Sequence, residues 1–303
     1  MKSDTMHIQQ THMLIPIAEL PTEVGWLSMQ PYPVIAFGDG VSDNADVVVD
    51  DESAALVLVK AIEKTPIAAM TLVQVLRTTE EMTIDQALIV ESLAYATLQA
   101  GSEYKSWLRK RDVKPQLITG GEGDAIELQR EGSVVTARLN RPANRNALTV
   151  EMRDALVELF EFILLDNSIS ELKLSGKGSC FCVGGELREF GLAVDSAEAH
   201  YIRSTHNPGK LLARCAARVS CHLHSACVGS GIELPAFAGT VTADKKTYFQ
   251  LPELQFGLIP GAGGCVSLPR RIGRQRTCWL ALSGKKITSA TALSWGLIDE
   301  IAK

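Results

Sequence analysis

The acidic residue Glu233 lies in an otherwise apolar stretch, CVGSGIELPAFAG (227–239), two residues after a Gly-Ser-Gly turn. Acidic side chains are rarely buried unless they are paired or used in chemistry. Glu233 therefore has two interpretations: it caps a helix or meets an arginine, or it acts as a catalytic acid or base. The catalytic interpretation requires a second functional group.

Two short clusters contain potential metal ligands, Cys180-x-Cys182 and Cys221-His222-x-His224. Neither has the CxxC or HxxxH spacing of a common zinc site. In a strand, His222 and His224 would share one face while Cys221 pointed to the other. We therefore predict no metal and no tightly bound cofactor.

Composition limits the class of protein. The 303 residues are enough for one large domain, or for one domain with a smaller second one. The fractions of hydrophobic residues, 46%, and charged residues, 21%, are typical of a globular protein. The net charge of −5 lacks the basic footprint of nucleic-acid binding, so no nucleic-acid partner is predicted.

Three further features predict a cytoplasmic protein with no membrane partner. The first twenty residues lack the apolar core of a signal peptide. No apolar run approaches the ~18 residues that span a membrane. The seven cysteines, an odd number in a long chain, indicate reduced thiols.

The N-terminal region is predicted to be mostly helical. Residues 1–30 show no clear periodicity, and the polar stretch 102–124 is interpreted as a linker. The longest helix opens with a Thr83-x-x-Gln86 capping box, and its apolar residues cover most of its circumference, which indicates burial on more than one side. The predicted elements are strands within 33–40 and 45–51 and helices at 52–64, 66–77 and 83–101.

From residue 125 strands alternate with helices, which predicts an α/β domain with a largely parallel sheet. The predicted elements are two strands within 126–140 joined by a Glu131-Gly132 turn, an amphipathic helix at 149–166, a strand at 171–176, a helical stretch near 197–215 and a strand region at 218–228.

Five motifs in this second region resemble, in the same order, those of the crotonase (enoyl-CoA hydratase/isomerase) superfamily. The resemblance covers residues from about 120 to 301. It implies an α/β fold with a crotonase-like ββα superhelix core, preceded by a smaller, mostly helical N-terminal region. The motifs are LNRPANRNALTVEM (139–152), SGKGSCFCVGGELREF (175–190), CVGSGIEL (227–234), FQLPELQFGLIPGAGG (249–264) and LPRRIGRQRTCWLALSGKKITSATALSWGLIDEI (268–301).

The resemblance implies catalytic roles for two glutamates. Glu233 and Glu253 fall on the positions that enoyl-CoA hydratases fill with catalytic glutamates. In addition of water to a double bond, a carboxylate activates the water and a carboxylic acid supplies a proton. Two nearby acids cannot both ionise cheaply, so their roles can divide. A place in the first turn of a helix is expected to favour the ionised form of Glu233.

Backbone donors and the coenzyme A site also follow from the resemblance. The N–H groups of Gly185 and Ser230 match the family's oxyanion hole, which stabilises an enolate oxygen. Coenzyme A is expected as part of the acyl-CoA substrate, with Arg145 reaching its ribose 3′-phosphate. The GAGG segment (261–264) matches one that shapes the pocket behind the second glutamate. The implied CoA-binding residues are Ala143, Arg145, Asn146, Val183, Gly184, Glu186 and Leu187.

The chain departs from the family pattern in two places near the implied site. Ser230 occupies a position that is usually glycine, which leaves the N–H in place but adds a side chain. The preceding strand, ARVSCHLHSA, is more polar than the family's. His222 and His224 are therefore either hydrogen-bonded core residues or polar groups that alter the pocket.

The end of the chain departs further. Family members continue beyond GLIDEIAK (296–303) with helices that complete the pocket, and residues 65–111 resemble those helices. We hypothesise a rearranged order, as in a circular permutant. The alternative is an independent small domain that recruits another protein. We divide the chain into an N-terminal region, 1–117, and a core, 118–303.

The predicted function is reversible hydration of a 2-enoyl-CoA thioester by a homo-oligomer, a trimer or a hexamer. One alternative is an enoyl-CoA isomerase, or an acyl-CoA hydrolase or lyase that also forms an enolate. Another is a catalytically inactive scaffold that binds CoA thioesters.

Overall fold

The computed structural model describes residues 10–193 and 195–302, which form three β-sheets and a set of helices. The strands are β1 (Met13–Pro16), β2 (Val34–Phe37), β3 (Val47–Val49), β4 (Ile126–Glu131), β5 (Val134–Leu139), β6 (Glu171–Gly176), β7 (Val219–Leu223), β8 (Ala226–Val228), β9 (Thr240–Asp244), β10 (Tyr248–Gln250), β11 (Ile287–Thr288) and β12 (Glu300–Ala302).

Helices connect and cover these strands. The α-helices are α1 (Glu52–Ile62), α2 (Pro66–Thr78), α3 (Ile84–Ala100), α4 (Ser102–Lys110), α5 (Val150–Leu165), α6 (Ser196–Thr205), α7 (Pro208–Cys215), α8 (Ser230–Glu233), α9 (Gly264–Ile272), α10 (Arg274–Ser283) and α11 (Ser289–Trp295). No helix among residues 10–193 and 195–302 is both long enough and apolar enough to cross a membrane.

The largest sheet has six strands in the order β12-β9-β7-β6-β5-β4. Its pairs are parallel except for the β4–β5 hairpin, which turns at Gly132 with φ of 60°. A second sheet has the order β11-β10-β8, in which β8 and β10 are parallel. The largely parallel α/β arrangement predicted from residue 125 onward is confirmed.

The N-terminal region contains the predicted strands and helices and two elements that the sequence did not indicate. The capping box of Thr83 and Gln86 forms at the start of α3. The segment predicted as a linker begins with helix α4, because Tyr104 is buried and Trp107 packs against Phe256, with ring centroids 4.8 Å apart. Strand β1 lies in the stretch predicted to be irregular, since four residues ending in proline show no periodicity. Residues 1–9 of that stretch lie outside the described residues.

One hydrophobic core contains residues of both predicted regions, from Ile35 to Ile298. A buried ionic contact also joins them: Asp46 pairs with Arg77 of α2 and with Arg274 of α10, the latter at 3.3 Å. Asp46 is 1% exposed, so its charge needs these partners. The division at residues 117 and 118 itself stays a prediction.

Candidate active site

Three parallel chain segments end at the same edge and bring the predicted site residues together. Strand β8 pairs in parallel with β10, and Cys182 forms a parallel bridge to Cys227 of β8. Gly185 follows the segment at Cys182, Ser230 follows β8 and Glu253 follows β10. Because the carboxyl ends of parallel neighbours meet at one edge, these residues lie close together. Beyond those ends lies a cleft of about 270 Å³ whose walls include Gly185, Ser230, Glu233 and Glu253.

Glu233 is the last residue of α8 and is 2% exposed. Its Oε2 accepts hydrogen bonds from the N–H groups of Ala262, at 2.8 Å, and Gly264, at 2.9 Å. Burial raises the pKa of Glu233 to about 7, although these two donors act in the opposite direction. Glu233 lies in the first turn of α8, as predicted, but α8 has only four residues, and burial has the larger effect on the pKa of Glu233.

Glu253 follows β10 and is more strongly perturbed. Burial, and then the charge of Glu233, raise the pKa of Glu253 well above its ordinary value. Its Oε2 is buried and has no hydrogen-bond partner among the described residues. A buried oxygen of this kind is available to a bound substrate or water.

Gly229 allows the two carboxyl groups to approach each other. Its backbone adopts φ of 51° and ψ of −124°, a conformation that side chains rarely permit. A Cβ at this position would lie 2.5 Å from Oε1 of Glu253 and 3.7 Å from Oε1 of Glu233. The two acids therefore face the same point, and only glycine leaves it open.

For the catalytic role that the resemblance implies for Glu253, we expect the substitution Gly229→Ala to lower kcat/KM by about 100-fold or more, because the added methyl group displaces the carboxyl group and a displacement of ~1 Å carries a cost of this size. The control is Gly132→Ala, at φ of 60° with no atom within 4 Å of the added carbon. This control measures the effect of placing alanine at a positive φ without any steric contact. Equal activity in both variants would contradict the proposed position of Glu253.

The backbone donors predicted for an oxyanion hole lie in the same cleft. The turns that carry them touch, since a Cβ on Gly184 would lie 2.9 Å from the carbonyl oxygen of Val228. Among the described residues, the N–H groups of Gly185 and Ser230 donate to no backbone carbonyl. Their assignment to an oxyanion stays a prediction.

The two segments predicted to bind CoA lie side by side, since Arg188 donates to the side chain of Asn144 at 2.7 Å. Asn146 is fully buried, and its side chain accepts from the N–H of Arg141 at 2.9 Å and donates to the carbonyl of Lys177 at 2.8 Å. Glu186 pairs with Arg188, and this contact lowers the pKa of Glu186 to about 2. The remaining predicted residues of these segments are Ala143, Arg145, Val183, Gly184 and Leu187, and CoA binding by the set stays a prediction.

The histidines of β7 and its following turn lie outside the cleft. His222 is exposed and contacts Thr242 at 3.1 Å and Asp244 at 3.2 Å. His224 contacts the carbonyl oxygen of Gly178 at 3.2 Å. Cys221 is buried, on the face opposite to His222. Neither of the two roles predicted for His222 applies, because its strand presents it to solvent.

A third buried acid, Glu91 of α3, belongs to the site and was missed. It is 2% exposed and accepts hydrogen bonds from the N–H groups of Gly263 and Cys265, both at 2.8 Å. Glu233 and Glu91 thus bind four consecutive backbone N–H groups, 262 to 265, in alternation. The GAGG segment therefore holds Glu233, and its first two residues line the cleft together with Glu253. The one sequence signal was an acid within a helix that is apolar around most of its circumference.

The N-terminal helices form part of the cleft wall. Tyr95 and Gln99 of α3 line it, and a Cβ on Gly261 would lie 2.2 Å from the ring of Tyr95. The circular-permutant hypothesis requires residues 65–111 to pack at this pocket, and Tyr95 and Gln99 of that stretch line it. The order of events that produced such a chain stays a hypothesis.

Known proteins resemble the chain in sequence and in structure. The family model described as enoyl-CoA hydratase/isomerase matches residues 129–303. The 1,2-epoxyphenylacetyl-CoA isomerase of Escherichia coli K12 is 32% identical over 56% of this chain and 67% of its own length. The 2,3-dehydroadipyl-CoA hydratase of the same organism is 32% identical over 57% and 68%.

The comparison with solved structures finds the same family as the sequence comparison. The crystal structure of an enoyl-CoA hydratase from Mycobacterium smegmatis matches with a TM-score of 0.55 and 27% identity, over 59% of this chain and 70% of that one. The predicted superfamily and the crotonase-like α/β fold class are confirmed.

Proposed function

Because the chain belongs to the enoyl-CoA hydratase/isomerase family and is an enzyme of that kind, we propose that it adds water reversibly to 2-enoyl-CoA thioesters. The observation that carries this proposal is the pair of buried acids, Glu233 and Glu253, at one cleft. Isomerisation needs only one acid to shuttle a proton. The presence of two acids with separate surroundings therefore favours hydration.

We assign the roles from the surroundings of each acid. Glu233 accepts two backbone N–H bonds at one oxygen, which supports its carboxylate form, and we propose it as the base that activates water. Glu253 has an oxygen without a partner among the described residues and a pKa raised far above its ordinary value. We propose it as the acid that protonates the α-carbon.

The two glutamates account for every proton that is transferred in the proposed reaction. Glu233 takes a proton from water while the water oxygen bonds to the β-carbon, and the double-bond electrons move onto the thioester oxygen. The N–H groups of Gly185 and Ser230 would stabilise that enolate, since preorganised donors of this kind are worth ~10²–10³ in rate each. Glu253 then donates its proton to the α-carbon, which gives a 3-hydroxyacyl-CoA, and proton transfer from Glu233 restores the pair.

The direct test is loss of the conjugated enoyl-thioester absorbance with short, long and aromatic 2-enoyl-CoAs. We expect at least one of them to be consumed and a 3-hydroxyacyl-CoA to form. Migration of the double bond without gain of water would indicate an isomerase. Binding of acyl-CoA with no product from any substrate would indicate the inactive scaffold.

The pH dependence follows from the same pair. The base must be ionised, so kcat/KM is expected to fall as the pH drops below about 7, where Glu233 gains a proton. It is expected to fall again at higher pH, where Glu253 loses its proton. Both apparent pKa values belong to the coupled pair. Initial rates of hydration across the pH range test this, and an acid limb near the ordinary glutamate value of 4.5 would contradict it.

We also propose that the active form is a homo-oligomer, a trimer or a hexamer, in which coenzyme A is held by residues 143–146 and 183–187. Light scattering of the purified protein measures the number of subunits. A monomer with full activity would contradict the oligomer.

A further inference from the structure

Arg203 of α6 places a positive charge on the wall of the cleft that contains Glu233 and Glu253. Its guanidinium lies over the ring of Tyr95, 4.5 Å from the ring centroid. It is one of two arginines on this wall. The other, Arg153, already pairs with Asp154 at 2.7 Å.

The contacts of Arg203 hold it in place but leave its charge without a partner. Nη1 donates to Oε1 of Gln99 at 3.0 Å, and Nε and Nη2 donate to the side chain and carbonyl oxygen of Ser92 at 3.3 and 3.4 Å. All three acceptors are neutral. Among the described residues no Asp or Glu oxygen lies within salt-bridge distance of it. A guanidinium has five N–H groups, so these three bonds leave two for a ligand.

Arg203 is partly buried, which disfavours a charge that has no anionic partner. Desolvation lowers the pKa of Arg203, which means that the surroundings disfavour its charged form. A purely hydrocarbon acyl group would remove more water from the guanidinium without accepting a hydrogen bond from it. The cleft also holds the carboxylate proposed for Glu233, so a second carboxylate on a substrate would be repelled unless a cation received it.

From this geometry, and resting on the proposed function, we infer that Arg203 binds a carboxylate at the far end of the acyl group. The substrates are then CoA thioesters of dicarboxylic acids, with one carboxyl group in the thioester and the other at Arg203. Tyr95 and Gln99 orient the guanidinium. The alternative role for Arg203 is to balance the charge of Glu91, to which it is attracted electrostatically.

Binding of saturated CoA thioesters tests the inference without any need for turnover. The probes are pairs of equal chain length that differ in their end group: succinyl- and butyryl-CoA, glutaryl- and pentanoyl-CoA, adipyl- and hexanoyl-CoA. Calorimetry on the full-length wild type is expected to give, for at least one pair, a Kd about tenfold or more lower for the carboxylated member. That ratio corresponds to about 1.4 kcal/mol.

Two variants separate carboxylate binding from charge balance. Arg203→Met should remove the preference and leave the Kd of the methyl-ended thioester within about threefold of wild type, whereas Arg203→Lys should keep part of it. Equal affinities within every pair in the wild type would overturn the inference, as would equal weakening of both members by Arg203→Met. If Arg203→Met does not fold, the Kd ratios of the wild type and of Arg203→Lys within each pair test the inference.

The outcomes also distinguish this inference from the proposed function. Hydration of enoyl-CoAs without any carboxylate preference would overturn the inference alone. A carboxylate preference in binding with no hydration of any enoyl-CoA would overturn the hydratase proposal alone. If none of the six thioesters binds, the inference is overturned, and the assay of enoyl-thioester absorbance decides the hydratase proposal separately.

Discussion

Glu233→Gln and Glu253→Gln are each expected to lower kcat/KM for hydration by ~10²-fold or more, because loss of a general acid or base typically has this effect. Glutamine keeps the size of the side chain, and its carbonyl oxygen can still accept the N–H groups that bind Glu233. It cannot take or give the proton. Hydration rates measured from the loss of enoyl-thioester absorbance test both variants.

The matched control is Glu158→Gln, on the exposed face of α5 and outside the cleft. It should keep wild-type activity. A fall in only one of the two site variants would indicate one-acid chemistry, such as isomerisation. Wild-type activity in both would exclude the glutamate pair from the reaction.

Replacing Glu91 with alanine is expected to lower the free energy of unfolding by about 2–6 kcal/mol, because two buried N–H groups lose their acceptor at about 1–3 kcal/mol each. The N–H groups are those of Gly263 and Cys265, whose neighbours in the chain bind Glu233. The segment 262–265 therefore loses one of the two side chains that bind its N–H groups, and we expect kcat/KM to fall as well. Urea denaturation and hydration rates measure the two effects.

Two further variants on α3 sharpen this test. Glu91→Gln keeps one acceptor oxygen, so its loss of stability should be smaller than that of Glu91→Ala. Leu93→Ala, at a position that is 50% exposed, removes a side chain of the same helix that lies away from the loop, and it should have little effect on activity. If Glu91→Ala has wild-type stability and activity, residues 262–265 keep their conformation without the hydrogen bonds to α3.

Much of the fold was predictable because local signals agreed with it. The capping box at Thr83 and Gln86 and the alternation of strands and helices after residue 125 are local signals, and both are present in the structure. The predicted helical stretch near 197–215 divides into α6 and α7, and the strand region 218–228 divides into β7 and β8. The errors fell on segments whose state depends on distant contacts. Helix α4 looked polar because most of its surface faces solvent, and its few buried side chains meet residues about 150 positions away, such as Phe256.

The sequence by itself determined the residue types at the candidate site: two acids, Glu233 and Glu253, and a glycine at 229. Tertiary structure alone decided the ionisation of the two acids, because the pKa of a carboxyl group depends on burial and neighbours. It also decided which distant side chains join them. Glu91 and Arg203 belong to different helices, 112 positions apart in number, and the packing of α3 against α6 and α9 brings Arg203 to the cleft and Glu91 to the segment that binds Glu233.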